Sequence, residues 1–475
     1  MKATLILCIC VTVLILYINC KNANYYQENL FNSKPHIEDS IIYAVPQFPR
    51  LCDNMEIEKK YVNIGDCELY CEIEGAGTPL VLIHGGPGGT HHCFHPWLSR
   101  AKDKFKIIYY DQRGCGVSDF KSGEGYSFEQ TVDDLENLRK ALKIDKWIVL
   151  GHSFGGGVAQ YYTIKYPQHV MGQILVGSVP MMNKPELNAT NENWFLNEQE
   201  NQKINEIIQL ISTGKLNYAQ YFYNNDINGG WKRQNFLKPE PKRQAQMALY
   251  DIVFDKAFST DFDLYSFEHA FDNCPVPTLI CEGRYDSIWS AEKIPMMKKN
   301  HPQAKFLSFE KSSHNIYSDE TELFVNTIAE WSDTISIIDS NKITEWKNYT
   351  HKILSEQLNQ IASGKLFVKL IKTEGMASAK KFFEDFKKNN SDKTLFTERS
   401  LNVLAYRYLA DNQIDLAIEL FELNAKEYPQ SWNVYDSLGE AYLKKGNKEK
   451  AKTNYNKSVE LNPDNINGKK ILIDL

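Results

Sequence analysis

Five residues, Gly151-His152-Ser153-Phe154-Gly155, restrict the folding options of this chain more than any other stretch. They follow a fully apolar run, Trp147-Ile148-Val149-Leu150, and precede a segment of helical character. Glycine two positions either side of a serine suits a sharp strand-to-helix turn, where a side chain would strike neighbouring backbone. Such a turn lifts the serine hydroxyl to the edge of a sheet and aims the next N–H groups at whatever binds there. The rest of the chain must then supply strands beside 147–150 and helices to cover them.

Suitable runs recur. Leu80-Val81-Leu82-Ile83, Lys106-Ile107-Ile108-Tyr109-Tyr110, Gln173 to Val176, Pro277 to Cys281 and Phe306-Leu307-Ser308-Phe309 have strand character. Two more, Tyr61 to Ile64 and Cys67 to Ile73, flank a Gly65-Asp66 turn. Ser127 can cap a helix whose apolar positions Val132, Leu135, Leu138 and Leu142 recur at helical spacing. Strands buried on both faces, alternating with amphipathic helices, predict an α/β fold: a mostly parallel sheet with helices on both faces. The pattern covers 55–180, stops, and resumes over 262–335. Residues 181–261 are polar, helical and rich in aromatics, among them Trp194, Tyr223, Trp231, Phe236 and Tyr250. They are expected to form a helical cap over the sheet's carboxyl edge, where open α/β sheets bind ligands.

A length of 475 residues calls for more than one core. After a helical connector at 336–396, residues 397–475 contain a repeat. Leu404 and Leu438, Tyr408 and Tyr442, Ala417 and Ala451, Phe421 and Tyr455, and Pro429 and Pro463 are each 34 positions apart. Tyr435-x-x-Leu438-Gly439-x-x-Tyr442, followed by Ala451, Tyr455 and Pro463, resembles a tetratricopeptide repeat. Phe367, Leu370, Ala379 and Phe383 suggest a degenerate earlier copy. An array of this kind can bind a protein partner or simply stabilise its neighbour.

The amino end is different in kind. Lys2 precedes sixteen uncharged, mostly apolar residues, Ala3 to Ile18, and then Asn19-Cys20-Lys21. This layout predicts a secretory signal over 1–20 and an exported, periplasmic or membrane-anchored protein. Cys20 is a candidate lipidation site, with an uncleaved anchor as the alternative, and 21–54 reads as a linker. Net charge is −6, from 54 basic and 60 acidic residues without a basic cluster, so no nucleic-acid partner is expected. Setting aside Cys8, Cys10 and Cys20, the other seven cysteines are odd in number and lack paired spacing, which argues against a disulfide framework. No Cys/His grouping has zinc spacing; neither a metal nor another cofactor is expected.

The chemistry converges on three side chains. Ser153 is the candidate nucleophile. Glu282-Gly283-Arg284-Tyr285-Asp286 follows one strand and Lys311-Ser312-Ser313-His314 follows the last, giving the chain order Ser, Asp, His. His314 would take the proton of Ser153, while Asp286 fixes its tautomer and stabilises the imidazolium. His91, His92 and His95 are rivals for the base, but none follows the final strand. The glycine-rich His84-Gly85-Gly86-Pro87-Gly88-Gly89 follows the 80–83 strand, so its backbone can approach a reacting carbonyl. His84 itself suits loop orientation better than catalysis.

Four motifs together resemble the proline iminopeptidases, serine aminopeptidases of the α/β-hydrolase fold. They are His84-Gly-Gly-Pro-Gly88, Asp111-Gln-Arg-Gly-Cys-Gly-Val-Ser118, Gly151-His-Ser-Phe-Gly-Gly156 and Gly283-Arg-Tyr-Asp286. The likeness covers about 55–335. It implies release of an N-terminal residue, often proline, from a short peptide, with Gly86 and Phe154 as oxyanion donors and no cofactor. It also implies a structural role for the Asp-Gln-Arg-Gly segment and a cap glutamate for the substrate's ammonium group. Glu192, Glu198, Glu200 and Glu206 are candidates by location. His152 and Phe154 depart from the family's common Gly-Gly-Ser-Trp-Gly. That leaves open an esterase or amidase acting on small acyl substrates. A rival of another class is a binding scaffold in which the repeats recruit a partner and the first domain no longer catalyses.

Overall fold

The computed structural model describes residue 42 and residues 56–119, 126–182, 196–212, 215–216, 218–236, 265–286, 293–391 and 393–475. The expected signal segment with Cys20, nearly all of the 21–54 linker, and Glu192 lie outside the described residues. No helix among the described residues is long and apolar enough to cross a membrane.

One eight-stranded sheet organises the first part of the chain. Its strands are β1 (Glu58–Asn63), β2 (Glu68–Glu74), β3 (Thr78–Ile83), β4 (Phe105–Tyr110), β5 (Trp147–His152), β6 (Val170–Val176), β7 (Thr278–Gly283) and β8 (Lys305–Phe309), in the order β1-β2-β4-β3-β5-β6-β7-β8. The first two strands pair antiparallel at one edge, and β4, β3, β5, β6, β7 and β8 run parallel. Each apolar run noted in the sequence is a strand of this sheet, and the sheet is mostly parallel.

Alternate residues of one strand serve opposite faces, as the period of two requires. Val81, Ile83, Ile108 and Val149 pack with helices α1 (Phe128–Ala141) and α2 (Phe154–Lys165). Leu80, Leu82, Ile107 and Leu150 pack on the other face with Phe94, Leu98, Phe324 and Ile328. Ser127 caps α1 by accepting from the Gln130 N–H at 3.1 Å. Between β6 and β7, α3 (Glu198–Ser212) and α4 (Tyr218–Ile227) gather a separate small core of Leu196, Ile204, Ile207, Leu210 and Leu216. Helix α5 (Lys293–Asn300) then packs Met297 into the sheet's core, and α6 (Thr321–Asp333) covers the opposite face.

The carboxyl-terminal part is entirely helical: α7 (Ser340–Glu374), α8 (Met376–Asn389), α9 (Glu398–Ala410), α10 (Ile414–Glu427), α11 (Trp432–Lys444), α12 (Lys448–Leu461) and α13 (Ile466–Asp474). The repeat positions Leu404, Ala417, Phe421, Leu438, Ala451 and Tyr455 share one core. Gly439 lets α11 lie flat against Tyr455, because a Cβ there would come within 3.0 Å of the ring. Phe367, Ala379 and Phe383 join the same core from α7 and α8.

Helix α7 belongs to both cores. Ile343, Trp346, Leu354 and Ile361 pack into the sheet's core, while Phe367 and Ile371 pack with the repeats. Trp346 Nε1–H donates to the Ala270 carbonyl at 3.0 Å, and Tyr349 Oη–H to that of His269 at 3.1 Å. Replacing Trp346 by alanine should cost the sheet domain about 3–5 kcal/mol, from lost burial and a stranded carbonyl. Calorimetry should show the sheet-domain transition falling while that of the repeats moves less.

Candidate active site

Ser153 sits between β5 and α2 with φ 55° and ψ −121°. An L-residue adopts this conformation only where its surroundings enforce it. They do so by close backbone approach. A Cβ on Gly155 would lie 2.1 Å from the Ile83 carbonyl oxygen, and one on Gly151 would lie 2.2 Å from that of Gly155. The serine N–H donates to the Val176 carbonyl at 2.9 Å, and its own carbonyl accepts from Gly156 N–H at 3.0 Å. Its first helical neighbour, Phe154, opens α2, where the helix places partial positive charge.

Asp286 and His314 leave the carboxyl ends of β7 and β8, two strands that lie side by side. Their loops are stitched together: Tyr285 N–H donates to the Ser312 carbonyl at 3.0 Å, and Ser313 Oγ–H to that of Tyr285 at 3.1 Å. His314 Nδ1–H donates to Asp286 Oδ2 at 2.9 Å, which leaves Nε2 as the proton acceptor. The imidazole ring faces His152, the neighbour of Ser153, with ring centres 4.7 Å apart. His152 Nε2–H also donates to the His314 carbonyl at 3.2 Å. The structure thus brings all three predicted residues to one rim of the sheet. Among the described residues no hydrogen bond joins Ser153 to the imidazole, a bond that commonly tightens only around substrate.

Behind Asp286 lies a pair that sequence reasoning did not find. Lys293, at the start of α5, is buried and contacts Glu282 Oε2 at 2.5 Å and Asp286 Oδ2 at 3.3 Å. Burial opposes its charge, yet Glu282 and Asp286 together raise it above the ordinary lysine value, so it stays protonated. The only trace in the sequence is a lysine seven residues after Asp286, which has no motif of its own.

The glycine-rich loop closes the opposite side. A Cβ on Gly85 would lie 3.0 Å from that of Ser153, so backbone meets the nucleophile directly there. Gly86 follows with φ 131°, and a Cβ there would lie 2.6 Å from the Gly88 and Gly89 nitrogens, so the tight course of the loop past the serine requires glycine. His84 Nδ1–H donates to the Gly85 carbonyl at 2.9 Å, and its Nε2 accepts from Gln112 N–H at 3.1 Å. Burial pushes His84 down to about 4, so the ring is neutral and serves as a spacer between the loop and the Asp-Gln-Arg-Gly segment. In that segment Arg113 grips Asp134 of α1 through two hydrogen bonds of 2.8 and 2.7 Å and also binds Asp66. Asp111 accepts from the His91 N–H at 2.9 Å and from its Nδ1–H at 2.7 Å. His91 and His95 are buried with Glu72, away from the serine, so neither is placed as its base.

The cap carboxylates fare differently. Glu198 and Glu206 are exposed, and Glu206 pairs with Lys203 at 3.0 Å on the outer side of α3. Glu200 is bound through both oxygens by Lys232, at 2.8 and 2.7 Å, and accepts from Asn197 N–H. None of these three presents an unpaired carboxylate to the serine, because each is held at a helix end or faces outward. Lys232 does lie close to the site, since its carbonyl accepts from Ser313 Oγ–H at 3.5 Å.

The family model for the alpha/beta hydrolase fold matches residues 78–321, and that for the tetratricopeptide repeat matches 433–465. A proline iminopeptidase of Saccharolobus solfataricus is 29% identical over 306 residues, covering 59% of this chain and 94% of that protein. One from Clostridioides difficile is 28% identical over 301 residues, covering 58% and 98%. Among solved structures, an esterase from Exiguobacterium antarcticum aligns at TM-score 0.47 and 20% identity, covering 58% of this chain and 100% of that one.

Lys293→Met should leave Glu282 and Asp286 as two buried carboxylates without their cation. Like charge and burial both raise carboxyl pKa values, so Asp286 would hold its proton to higher pH and fail to support the imidazolium. The acid limb of kcat/KM should move up by about one pH unit or more, and stability should fall by about 3–5 kcal/mol. An unmoved pH profile would show that Lys293 does not act through Asp286.

Proposed function

Because this chain belongs to the alpha/beta hydrolase fold family, we propose that it is a serine hydrolase of proline-iminopeptidase type, releasing the N-terminal residue of short peptides. The observation that carries this reading is the strained turn at Ser153 on the same sheet rim as the His314–Asp286 hydrogen bond. His314 Nε2 takes the proton of Ser153 Oγ as the oxygen attacks the substrate carbonyl. The oxyanion forms beside the N–H groups of Gly86 and Phe154, each donor typically worth about 3 kcal/mol. The imidazolium then gives its proton to the leaving amine, the shortened peptide departs, and water attacks the acyl group on Ser153 with His314 again as base. Asp286 holds the imidazole and balances its charge, with Lys293 behind it.

One observation favours a second reading. Glu200 is already bound by Lys232, and Glu198 and Glu206 face solvent, so an uncharged acyl substrate would suit the described part of the cap as well as an ammonium group does. Export remains our proposal from the Lys2-to-Cys20 sequence, as does a partner-binding role for the repeats.

Wild-type chain should label with a fluorophosphonate, and Ser153→Ala should not. Asp286→Asn should lower kcat about 10⁴-fold, because the carboxamide favours the wrong tautomer. Prolyl- and alanyl-naphthylamide assayed beside p-nitrophenyl acetate separate the two readings; turnover of the ester alone would remove the peptidase. Absence of labelling in a folded wild-type chain would remove both.

A further inference from the structure

We propose that Glu72, His91 and His95 form a buried site for one first-row divalent metal ion such as Zn²⁺, anchoring the turn after the glycine-rich loop to the antiparallel edge of the sheet. Their donor atoms all lie within 4.8 Å of one another, and the three side chains are fully buried. Each carboxylate oxygen of Glu72 meets a different ring: Oε1 lies 3.4 Å from His91 Nε2, and Oε2 lies 3.0 Å from His95 Nε2. Adjacent donors around a tetrahedral zinc stand about 3.3 Å apart, so little movement would admit the ion. A chelating carboxylate with two imidazoles gives four donor atoms.

The surroundings orient these groups as they would metal ligands. His91 Nδ1–H donates to Asp111 Oδ1 at 2.7 Å, which orients the ring so that Nε2 faces Glu72. A carboxylate behind a ligating histidine is the usual support in such sites. Tyr70 Oη–H steadies Glu72 Oε1 at 2.7 Å, and the His95 ring stacks on Tyr109 with centres 4.0 Å apart. His91 opens a short 3₁₀ turn that ends at Phe94, and His95 stands just past it in an extended conformation, with the two rings edge to face and their centres 5.8 Å apart. Glu72 Oε2 and His95 Nε2 are buried and, despite their proximity, make no hydrogen bond of acceptable geometry. A divalent cation satisfies both atoms. It also adds positive charge where the two carboxylates of Glu72 and Asp111 meet His91. The sequence had given no expectation of this site, because Glu72 lies on a strand distant from the His91-to-His95 turn.

The role that follows is positional. The turn at 91–95 continues the loop that carries Gly86, and Asp111 binds both His91 and the Val117 N–H, so an ion there would tie three segments together. The probe is Co²⁺, added to the untagged full chain after treatment with a chelator, with unbound ion removed by gel filtration. The wild type should retain about one equivalent and show the intense visible bands of four-coordinate cobalt, which added Zn²⁺ should displace. Zn²⁺ should also raise the melting midpoint by roughly 4 °C or more. Glu72→Gln and His95→Gln should each lose at least tenfold in retained cobalt while keeping the wild-type far-ultraviolet spectrum. Retention in wild type no greater than in a folded variant, or only the weak spectrum of six-coordinate cobalt, would overturn the proposal. Should neither variant fold, the wild-type spectrum and stoichiometry decide it alone.

Discussion

At Ser153 the backbone holds a conformation that costs an L-residue about 1–3 kcal/mol and that relaxes unless its surroundings forbid it. Here they forbid it from two directions. The Ile83 carbonyl presses against Gly155 from β3, and the Val176 carbonyl binds the Ser153 N–H from β6. Both neighbours are strands that flank β5 in register, Ile83 opposite Gly151 and Val176 opposite His152. The strain is therefore sustained by the pairing of three parallel strands and is not local to the turn. Any change that slid one of them would release the serine from the rim.

The same close approach gathers the other two groups. A Cβ on Gly283 would lie 2.0 Å from the Ser313 carbonyl oxygen, so the β7 and β8 loops can cross only because that position is bare. Gly177, just past β6 with φ 52°, leaves room for the imidazole, because a Cβ there would lie 3.0 Å from His314 Nδ1. Charge then has to be balanced where water is excluded. A buried ion pair adds little stability for its own sake, and removing one partner is severe. Lys293, held by Glu282, is best understood as a fixed cation set behind the carboxylate that holds the imidazole.

Much of this was legible because the relevant signals are local. Buried parallel strands announce themselves as short apolar runs, and Ser153, Asp286 and His314 each stand just beyond one. The repeat positions Leu404/Leu438 and Ala417/Ala451 were equally plain, since helix pairs that stack in register must repeat their contacts. What stayed hidden depends on pairings set by the whole sheet. Glu72 reaches His91 and His95 only because β2 docks antiparallel on β4, and nothing in residues 68–74 announces that partner. Lys293 reaches Asp286 only because α5 folds back on the core. The glutamates of the cap could be enumerated but not ranked, because pairing of Glu200 with Lys232 crosses 32 residues.

Helix α7 bears on why the repeats stay attached to an enzyme. A linker of independent residues would let two domains move freely, but α7 is one uninterrupted helix from Ser340 to Glu374, entering one core at Ile343 and the other at Phe367. Between its two anchors the helix has no proline, and Ser363-Gly364 is the step at which it can flex, with Ser363 Oγ–H donating to the Asn359 carbonyl at 2.9 Å. The repeats are thus joined to the sheet domain through one continuous helix, which touches that domain beside Ala270 and Phe271, in the chain entering β7. That strand carries Asp286 at its far end. Helix α7 also packs against α2, the helix that opens just after Ser153, so the element shared by the two cores touches the one that holds the nucleophile's turn.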